Sequence, residues 1–256
     1  MPTYVILLIY EANVTSNVFD EMGIYWAEMA DKNQTEKQLK FLKNHLKTEG
    51  FILDLACGTG RHSIPLNQQG YRIVGVDVSV KLLRIAKQRS NRAEVVLGDM
   101  RYLPFKNEAF AGGISMDTSF GYLPSETDDR VSLSEVRRVI FQRGTFVIDV
   151  FNREELTAKY RGKSQSSKWK EYPSFFLKQE RIVSQGGEYL IDLWTIRDRE
   201  NSTLEIFEHS VRLYELDKIT GLLDEAGFAI TGVYGSYEEE NFSPNSPRLI
   251  LLAQTK

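Results

Sequence analysis

Between residues 51 and 151 the chain alternates short apolar runs with longer amphipathic ones. The five apolar runs are "FILDLA" (51–56), "YRIVGVDV" (71–78), "AEVVLGD" (93–99), "AFAGGISM" (109–116) and "RGTFVIDVF" (143–151). The apolar runs have the length of buried strands, and the intervening segments repeat apolar residues at helical spacing. Because the connections are short enough for parallel βαβ units, we predict an α/β fold with a doubly wound sheet and helices on both faces.

A different pattern follows the fifth strand. Three β-rich runs, "FFLKQERIV", "EYLIDLWTIRD" and "STLEIFEHSVRLY", are separated by the turn sequences "SQGGE" and "RENS". Consecutive strands on short turns predict an antiparallel meander inserted after strand five, at about residues 170–214. A helix (215–226) and two strands (228–235 and 247–254) then complete the sheet.

The N-terminal 50 residues read as a separate helical unit, with 51–256 as the sheet domain. Apolar residues recur at helical spacing from 17 to 48, and the polar stretch "DKNQTEKQ" predicts a break or an exposed turn between two helices. The preceding run "YVILLIY" (4–10) is too short to span a bilayer, which takes roughly 20 residues. It also lacks the charged start and cleavage site of a signal peptide, so we predict a short strand and no membrane segment.

Composition excludes several kinds of protein. A length of 256 residues with 42% hydrophobic residues suits one large domain or a domain with an insert. A net charge of -3 gives no general attraction for nucleic acid. The chain has one cysteine and three histidines, which argues against disulfides and metal centres and favours the reducing cytoplasm.

The glycine turn after the first strand, "LACGTGRHS", indicates a nucleotide site of an unusual kind. A helix beginning after such a turn attracts anions, but the dinucleotide fingerprint needs a third glycine where Ser63 stands. Asp54, four residues before Gly58, would repel a phosphate and would favour a ligand with a cationic end. The alternative is that Asp54 only caps backbone N–H groups of its own turn.

Two further acidic residues stand at the ends of predicted strands. Asp77 ends the second strand in "VGVDVS", and Asp99 follows the third in "GDMRYLPF". Ligands of open α/β sheets bind at the carboxyl edge of the strands, so both side chains are placed to meet one. A carboxylate at the position of Asp77 can accept both hydroxyls of a ribose.

With these three motifs the sequence resembles class I S-adenosylmethionine-dependent methyltransferases, from about residue 17 to 256. The resemblance implies a Rossmann-like seven-stranded sheet, S-adenosyl-L-methionine as cofactor and S-adenosyl-L-homocysteine as product. Asp99 would accept the adenine amino group, and the backbone at Met100 would meet the ring. The N-terminal helices would cap the cofactor. The implied cofactor-binding residues are Tyr25, Trp26, Asp54, Ala56, Gly58, Gly60, Arg61, Asp77, Val78, Asp99, Met100 and Asp117.

Candidate catalytic residues lie in two segments. Asp117 and Tyr122 belong to "SMDTSFGYLPSE", which follows strand four, and either can instead be a turn residue or a core aromatic. In "FEHSVRLY" the alternation places His209 on the same strand face as Val211 and Leu213. Tyr25 and Trp26 resemble an aromatic lid, but adjacent residues cannot share one helix face, so one of them packs elsewhere.

The sequence thus predicts an enzyme (a transferase of the EC 2.1.1 group) that moves a methyl group in line to an O or N acceptor, with a small molecule as substrate. Amino-methyltransferases that act on nucleic acid or glutamine often carry an "NPPY"-like motif after strand four. The segment "SMDTSF" stands there instead, which disfavours a base or a protein amide as acceptor. Alternatives are a tRNA or other RNA methyltransferase, an NAD(P)-dependent oxidoreductase, and a non-catalytic nucleotide-binding protein. A divalent-metal site at Asp117, Asp149 and Asn152 is disfavoured because polar residues are common at strand ends. The oligomeric state and the acceptor are not predicted.

Overall fold

The computed structural model describes residues 15–29, 32–46, 49–161 and 164–256. The apolar run 4–10 lies outside the described residues. Three helices precede the sheet: α1 (Thr15–Glu21), α2 (Gly23–Met29) and α3 (Lys32–His45). The predicted break at 31–38 is wrong for most of its length, since α3 begins at Lys32. Its lysines, glutamines and glutamate favour a helix; the lysines and Glu36 are exposed, whereas Gln34 is half-buried and Gln38 is buried.

The predicted alternation of strands and helices is present. The elements are β1 (Phe51–Leu55), α4 (Ser63–Gln68), β2 (Arg72–Asp77), α5 (Val80–Arg89), β3 (Glu94–Leu97), β4 (Phe110–Ser115), α6 (Glu126–Val139), β5 (Ile140–Phe151) and α7 (Arg153–Tyr160). Helix α7 was not predicted, because among its eight residues only Leu156 is buried and no apolar stripe marks it.

The insertion after α7 is an antiparallel sheet, and the chain then returns to the first sheet. The inserted strands are β6 (Gln165–Ser166), β7 (Lys170–Glu171), β8 (Phe175–Val183), β9 (Tyr189–Asp198) and β10 (Leu204–Arg212). The return consists of α8 (Leu216–Glu225), β11 (Phe228–Tyr234) and β12 (Arg248–Thr255). The three long strands of the meander match the three β-rich runs in the sequence.

Within the described residues the central sheet has seven strands in the order β11-β12-β5-β4-β1-β2-β3. β1 pairs in parallel with both β2 and β4, whereas β12 runs antiparallel between β5 and β11. After β1 the chain builds outward to β2 and β3, and then crosses to β4 on the other side. This reversal opens a crevice at the carboxyl ends of β1 and β4, where open α/β sheets bind ligands.

Helix caps fix the loops that border this crevice. The Ser79 hydroxyl accepts a hydrogen bond from Leu82 N (3.1 Å) at the start of α5. At the start of α6, Ser125 Oγ accepts from Asp128 N (3.1 Å) and Asp128 Oδ2 accepts from Ser125 N (3.1 Å). This reciprocal pair satisfies two N–H groups that the helix itself leaves without partners.

The second sheet and the N-terminal helices share an apolar cluster. Met22, between α1 and α2, and Tyr25 of α2 pack with Phe175, Trp194 and Phe207 of the second sheet. The helices and the meander therefore stand together over the crevice. No helix in the described parts of the chain is both long and apolar enough to cross a membrane.

Candidate active site

The glycine turn after β1 is held against β2 by backbone bonds. Cys57 N donates to Val76 O (3.0 Å), and Gly58 N donates to Asp77 Oδ2 (2.8 Å). Gly60 has φ +74, and a Cβ there would lie 2.8 Å from Ile64 Cδ1. The turn thus requires glycine at position 60 for its conformation, and its position is set by the end of β2.

Asp77 is nearly buried, and both of its carboxylate oxygens accept backbone hydrogen bonds. Oδ1 accepts from Ser79 N (2.8 Å), and Oδ2 accepts from Gly58 N. Burial raises the pKa of Asp77, while these hydrogen bonds counteract the rise. Each carboxylate oxygen retains a lone pair for another donor. Asp77 also lines a cavity of about 140 Å³ at the strand ends.

This smaller cavity joins the strand-end loops to the N-terminal helices. Its aromatic wall is an edge-to-face set in which Phe19 meets Trp26 (5.6 Å between centroids) and Tyr122 (5.0 Å). Eight of the predicted cofactor-binding residues line it: Trp26, Ala56, Gly58, Asp77, Val78, Asp99, Met100 and Asp117.

Asp54 lies behind the cavity wall and is not among the residues that line it. Its carboxylate accepts a hydrogen bond from the Ser63 hydroxyl, the residue that replaces the third glycine. Burial raises the pKa of Asp54 to about 7, although the Ser63 bond opposes the rise. Because Asp54 bonds the first residue of α4, it has a role similar to the helix-capping alternative considered for it. Gly60 is also absent from the cavity lining and contributes through the conformation of the turn.

Asp99 lines the cavity with its carboxylate engaged by Arg101. The guanidinium donates from Nη2 to Oδ2 (2.6 Å) and from Nε to Oδ1 (3.1 Å), and Nη1 reaches Asp128 (3.0 Å). An adenine amino group would therefore share Asp99 with Arg101, which the motif-based assignment did not anticipate. The spacing Asp-x-Arg in "GDMR" is the sequence signal for this pair.

Tyr25 and Trp26, adjacent in α2, point in different directions, as expected for neighbouring residues of a helix. The Tyr25 hydroxyl donates to Glu205 (2.7 Å), and its ring packs on Phe175, away from both cavities. Trp26 lines both cavities and stacks on Trp194 of β9 at 5.4 Å and 10°. Only Trp26 is thus placed to contact a ligand in the crevice.

The loop after β4 is strained and held by buried ion pairs. Asp117 and Thr118 have φ of 58° and 62°, a conformation that costs on the order of 1–3 kcal/mol per residue. Asp149 Oδ2 accepts from Asp117 N (2.8 Å), and Arg248 links Asp149 Oδ1 (2.8 Å) to Thr118 Oγ1 (2.6 Å). Arg248 and the Tyr237 hydroxyl (2.6 Å) both donate to Asp149, so the Asp149 carboxylate holds the loop in position.

Asp117 is an ion-pair partner. Its carboxylate accepts from Arg61 Nη2 (2.6 Å) and from Gln34 Nε2 (3.0 Å). Burial alone would raise the pKa of Asp117, but the charges of Arg61 and Arg248 outweigh it and hold the pKa below its usual value. Asp117 is therefore a poor proton acceptor at neutral pH and a good hydrogen-bond acceptor.

A larger cavity of about 520 Å³ continues from the smaller one toward the second sheet. His209 and Tyr122 both line it, with 6.0 Å between their ring centroids. Burial lowers the pKa of His209 and raises the pKa of Tyr122, so both are neutral at pH 7. The residues shared by the two cavities are Trp26, Ala56, Gly58, Asp117, Ser119 and Tyr122.

Comparison with known proteins identifies the family. Residues 52–144, from β1 into β5, match the sequence model of a methyltransferase domain. The demethylmenaquinone methyltransferase of Thermotoga maritima is 30% identical over 182 residues, which cover 70% of this chain and 70% of that relative. The chain belongs to the class I S-adenosylmethionine-dependent methyltransferases.

Solved structures of methyltransferases share the whole architecture. The CcbJ methyltransferase of Streptomyces caelestis superposes with a TM-score of 0.80 at 14% identity, covering 94% of this chain and 97% of that one. CalS10 of Micromonospora echinaspora, described as an S-adenosylmethionine-bound amino pentose methyltransferase, gives 0.70 at 14% identity and covers 96% and 100%. The predicted seven-stranded Rossmann-like sheet is confirmed.

The crevice of this methyltransferase fits its cofactor chemically. The cofactor carries a methyl group on a sulfonium, which is already an activated leaving group, so the protein has to align and desolvate it. Asp77 presents a carboxylate that could accept hydrogen bonds from hydroxyl groups, and Val78, Leu82 and Met100 line the cavity with apolar side chains against which a ring could pack. Gly58 leaves the wall between them without a side chain.

Several lining residues of the methyltransferase were not predicted. Two of them, Asp192 and Trp194, alternate with apolar residues in "YLIDLWTI", and a charged residue at an inward position of such a strand is a recognisable signal. Phe19 and Ser119 carry no such signal, since only the packing of α1 and the strained loop bring them into the crevice. Arg61, predicted to bind the cofactor, lines the larger cavity but not the smaller one.

Proposed function

We propose that this methyltransferase transfers the methyl group to an O or N atom of a small molecule bound in the larger cavity. The observation that carries the proposal is that this cavity extends from the glycine turn and is lined on its other side by side chains of the second sheet. Its volume, about 520 Å³, lies within the range of small-molecule sites, roughly 300–1,000 Å³. A folded RNA would need an open surface in the same place.

The cofactor's position in the proposal follows from the smaller cavity. Asp77 accepts the ribose hydroxyls, and the backbone at Met100 with Val78 borders the adenine. Trp26 covers the cofactor from α2, and Gly58 allows the backbone to approach it. Asp54 and Gly60 shape the turn from behind, Arg61 orients Asp117, and Tyr25 secures α2 to the second sheet.

Among the three candidate catalytic residues, His209 is the best suited to take a proton. A neutral imidazole accepts one directly, whereas Tyr122 is protonated and Asp117 is tied to Arg61. Tyr122 then contributes an apolar wall and a hydroxyl, and Asp117 contributes an oriented acceptor. Proximity in a dry cavity supplies most of the rate.

The relatives support a small acceptor by what their names state. Thermotoga maritima has a demethylmenaquinone methyltransferase, and CalS10 is described as an amino pentose methyltransferase. Both names specify small molecules of unlike shape. The second sheet is where a difference of acceptor would be accommodated here, because its side chains form the far wall of the larger cavity.

Calorimetry with S-adenosylhomocysteine tests the cofactor site. We expect binding to the wild type and at least a tenfold weaker affinity for Asp77→Ala, since the variant loses the carboxylate that also anchors Gly58 N. Glu240→Gln, an exposed acidic control, should bind as the wild type does. NADH should not bind. Unchanged affinity in Asp77→Ala would contradict the assignment.

The acceptor class needs a second experiment. The purified enzyme is incubated with methyl-labelled cofactor and either a metabolite extract or total RNA. The proposal expects label in the small-molecule fraction of the extract and none in the RNA. Label in RNA alone would reject the small-molecule acceptor while leaving the methyltransferase assignment intact.

A further inference from the structure

One face of the second sheet carries three polar side chains that the cofactor site does not use, of which two are buried and His209 is half-buried. Asp192 of β9 lies opposite His209 of β10 in the strand register, and Trp194 follows two residues later on the same face as Asp192. All three line the larger cavity. Asp192 and Trp194 are only 3% and 6% exposed.

Each of these residues has a buried polar atom without a hydrogen-bond partner in the described structure. The atoms are Asp192 Oδ1, Trp194 Nε1 and His209 Nδ1. A buried polar group left unpaired costs about 1–3 kcal/mol. Three such atoms in one wall of one cavity indicate a place that a polar ligand group completes.

The rest of Asp192 is firmly held. Its Oδ2 accepts from Arg181 Nε (2.9 Å) and from Gln179 Nε2 (2.8 Å). These bonds fix the side chain and leave Oδ1 without a hydrogen-bond donor among the described residues. Aromatic rings surround the same space. Trp194 meets the His209 ring edge to face at 5.0 Å, and Tyr122 and Trp26 stand beside them.

We propose that Asp192, Trp194 and His209 form the subsite for an amine acceptor, which enters as an ammonium group. This proposal rests on the small-molecule function argued above and names its substrate class. A carboxylate oxygen lacking a donor is complemented best by N–H groups of a cation, and aromatic faces attract the same charge. A hydroxyl would bring one donor and no charge.

The bound ammonium must lose a proton before its nitrogen can act as a nucleophile. The N–H bond breaks, its electron pair stays on nitrogen, and the proton forms a new bond to Nδ1 of His209. The resulting imidazolium lies across the strand pair from Asp192, whose negative charge favours it. His209 is thus proposed as the proton acceptor, and Asp192 holds both the incoming cation and the charge left behind.

The test compares benzylammonium with benzyl alcohol, two probes of similar shape that differ in charge. Each is titrated into protein saturated with S-adenosylhomocysteine, and the His209 ring signal is followed by NMR after assignment with His209→Gln. We expect the amine to bind at least tenfold more tightly than the alcohol. This comparison uses the wild-type protein and needs no variant to fold.

Asp192→Asn then assigns the preference to its carboxylate. The amide keeps an oxygen for Arg181 and Gln179 but presents N–H groups where Oδ1 stood, so the amine preference should fall to about onefold. Glu208→Gln, exposed on the opposite face of β10, is the matched control and should keep the preference. Affinity for S-adenosylhomocysteine should be unchanged in both variants.

Three results would overturn the amine subsite. They are equal binding of the two probes, no response of His209 to either probe, and an undiminished preference in Asp192→Asn. A failure to bind S-adenosylhomocysteine would instead count against the proposed function. The two proposals therefore fail in distinguishable ways.

Discussion

Single residues of this protein do more than their motif positions suggest. The Asp54 carboxyl is buried, and its pKa is raised to about 7 by that burial. Its partner Ser63 occupies the position at which a dinucleotide-binding protein would have glycine. Serine at this position therefore departs from the dinucleotide fingerprint and supplies the hydroxyl that the buried carboxyl needs.

We predict that Asp54→Asn changes the pH dependence of stability. The folded pKa lies above the unfolded value of about 3.9, so the folded state binds the proton more tightly. The contribution of Asp54 to stability is complete below pH 4 and is lost as the pH rises through 7. The amide has no such loss, so the variant should gain on the wild type by up to about 4 kcal/mol between pH 4 and pH 8.

Denaturant unfolding at several pH values measures this difference. Glu240→Gln, an exposed carboxylate removed by the same chemical change, should parallel the wild type. Parallel curves for Asp54→Asn as well would mean that the Asp54 carboxyl titrates normally. Sequence reasoning located Asp54 and the departure at Ser63 but not their bond, because the bond depends on how the turn folds back on α4.

At the scale of elements, a buried ion pair connects the second sheet to a helix that packs on the first sheet. Asp129 on α6 is fully buried and accepts from the Arg212 guanidinium at the end of β10 and from the Tyr214 hydroxyl (2.5 Å). The second sheet therefore joins the helix layer of the first at a fixed point, immediately before the chain returns through α8.

We predict that Asp129→Ala destabilises the fold by about 3–5 kcal/mol, because it leaves the buried Arg212 charge without a partner. The matched control is Glu126→Gln on the same helix. Glu126 pairs with Arg130 (2.9 Å) and Lys218 (2.8 Å) at the surface, where such pairs are worth about 0–1 kcal/mol. Equal losses in the two variants, measured by denaturant unfolding, would contradict the prediction.

Most elements could be predicted because burial imposes a period on them. In β10 the residues at positions 207, 209 and 211 face inward, as the alternation in "FEHSVRLY" indicates. Helix α7 and the start of α3 could not be predicted, since few of their side chains are buried and a polar helix has no apolar stripe. The pairing of Asp129 with Arg212 joins residues 83 positions apart and leaves no local trace.

At the scale of the whole molecule, the glycine turn contains the protein's one cysteine, Cys57. Cys57 is buried, and burial raises its pKa. A Cβ at Gly75 would lie 2.5 Å from the Cys57 sulfur, so the thiol occupies the space that this glycine leaves on β2. Cys57 also lines the larger cavity, and we expect a reagent in that cavity to reach the buried thiol only when the turn opens.

We predict that S-adenosylhomocysteine protects Cys57 from alkylation by iodoacetamide. If opening of the turn releases the ligand, a concentration about 100 times its dissociation constant slows the reaction about 100-fold, because binding stabilises only the closed state. The reaction is followed by mass spectrometry under native conditions. In denaturant the ligand should give no protection, and equal native rates with and without it would contradict the coupling.

The proposed donor site and the proposed acceptor subsite lie on different sheets, and this separation has a consequence for the evolution of the protein. The glycine turn and the acidic strand ends come from residues 54–99, whereas Asp192, Trp194 and His209 come from an insertion more than 90 positions later. If the proposed roles hold, exchanging one insertion for another would change the acceptor while the proposed methyl-donor site is kept. Divergence of this enzyme should be concentrated in residues 165–212, and chimaeras that swap this segment between relatives should carry the acceptor preference with them.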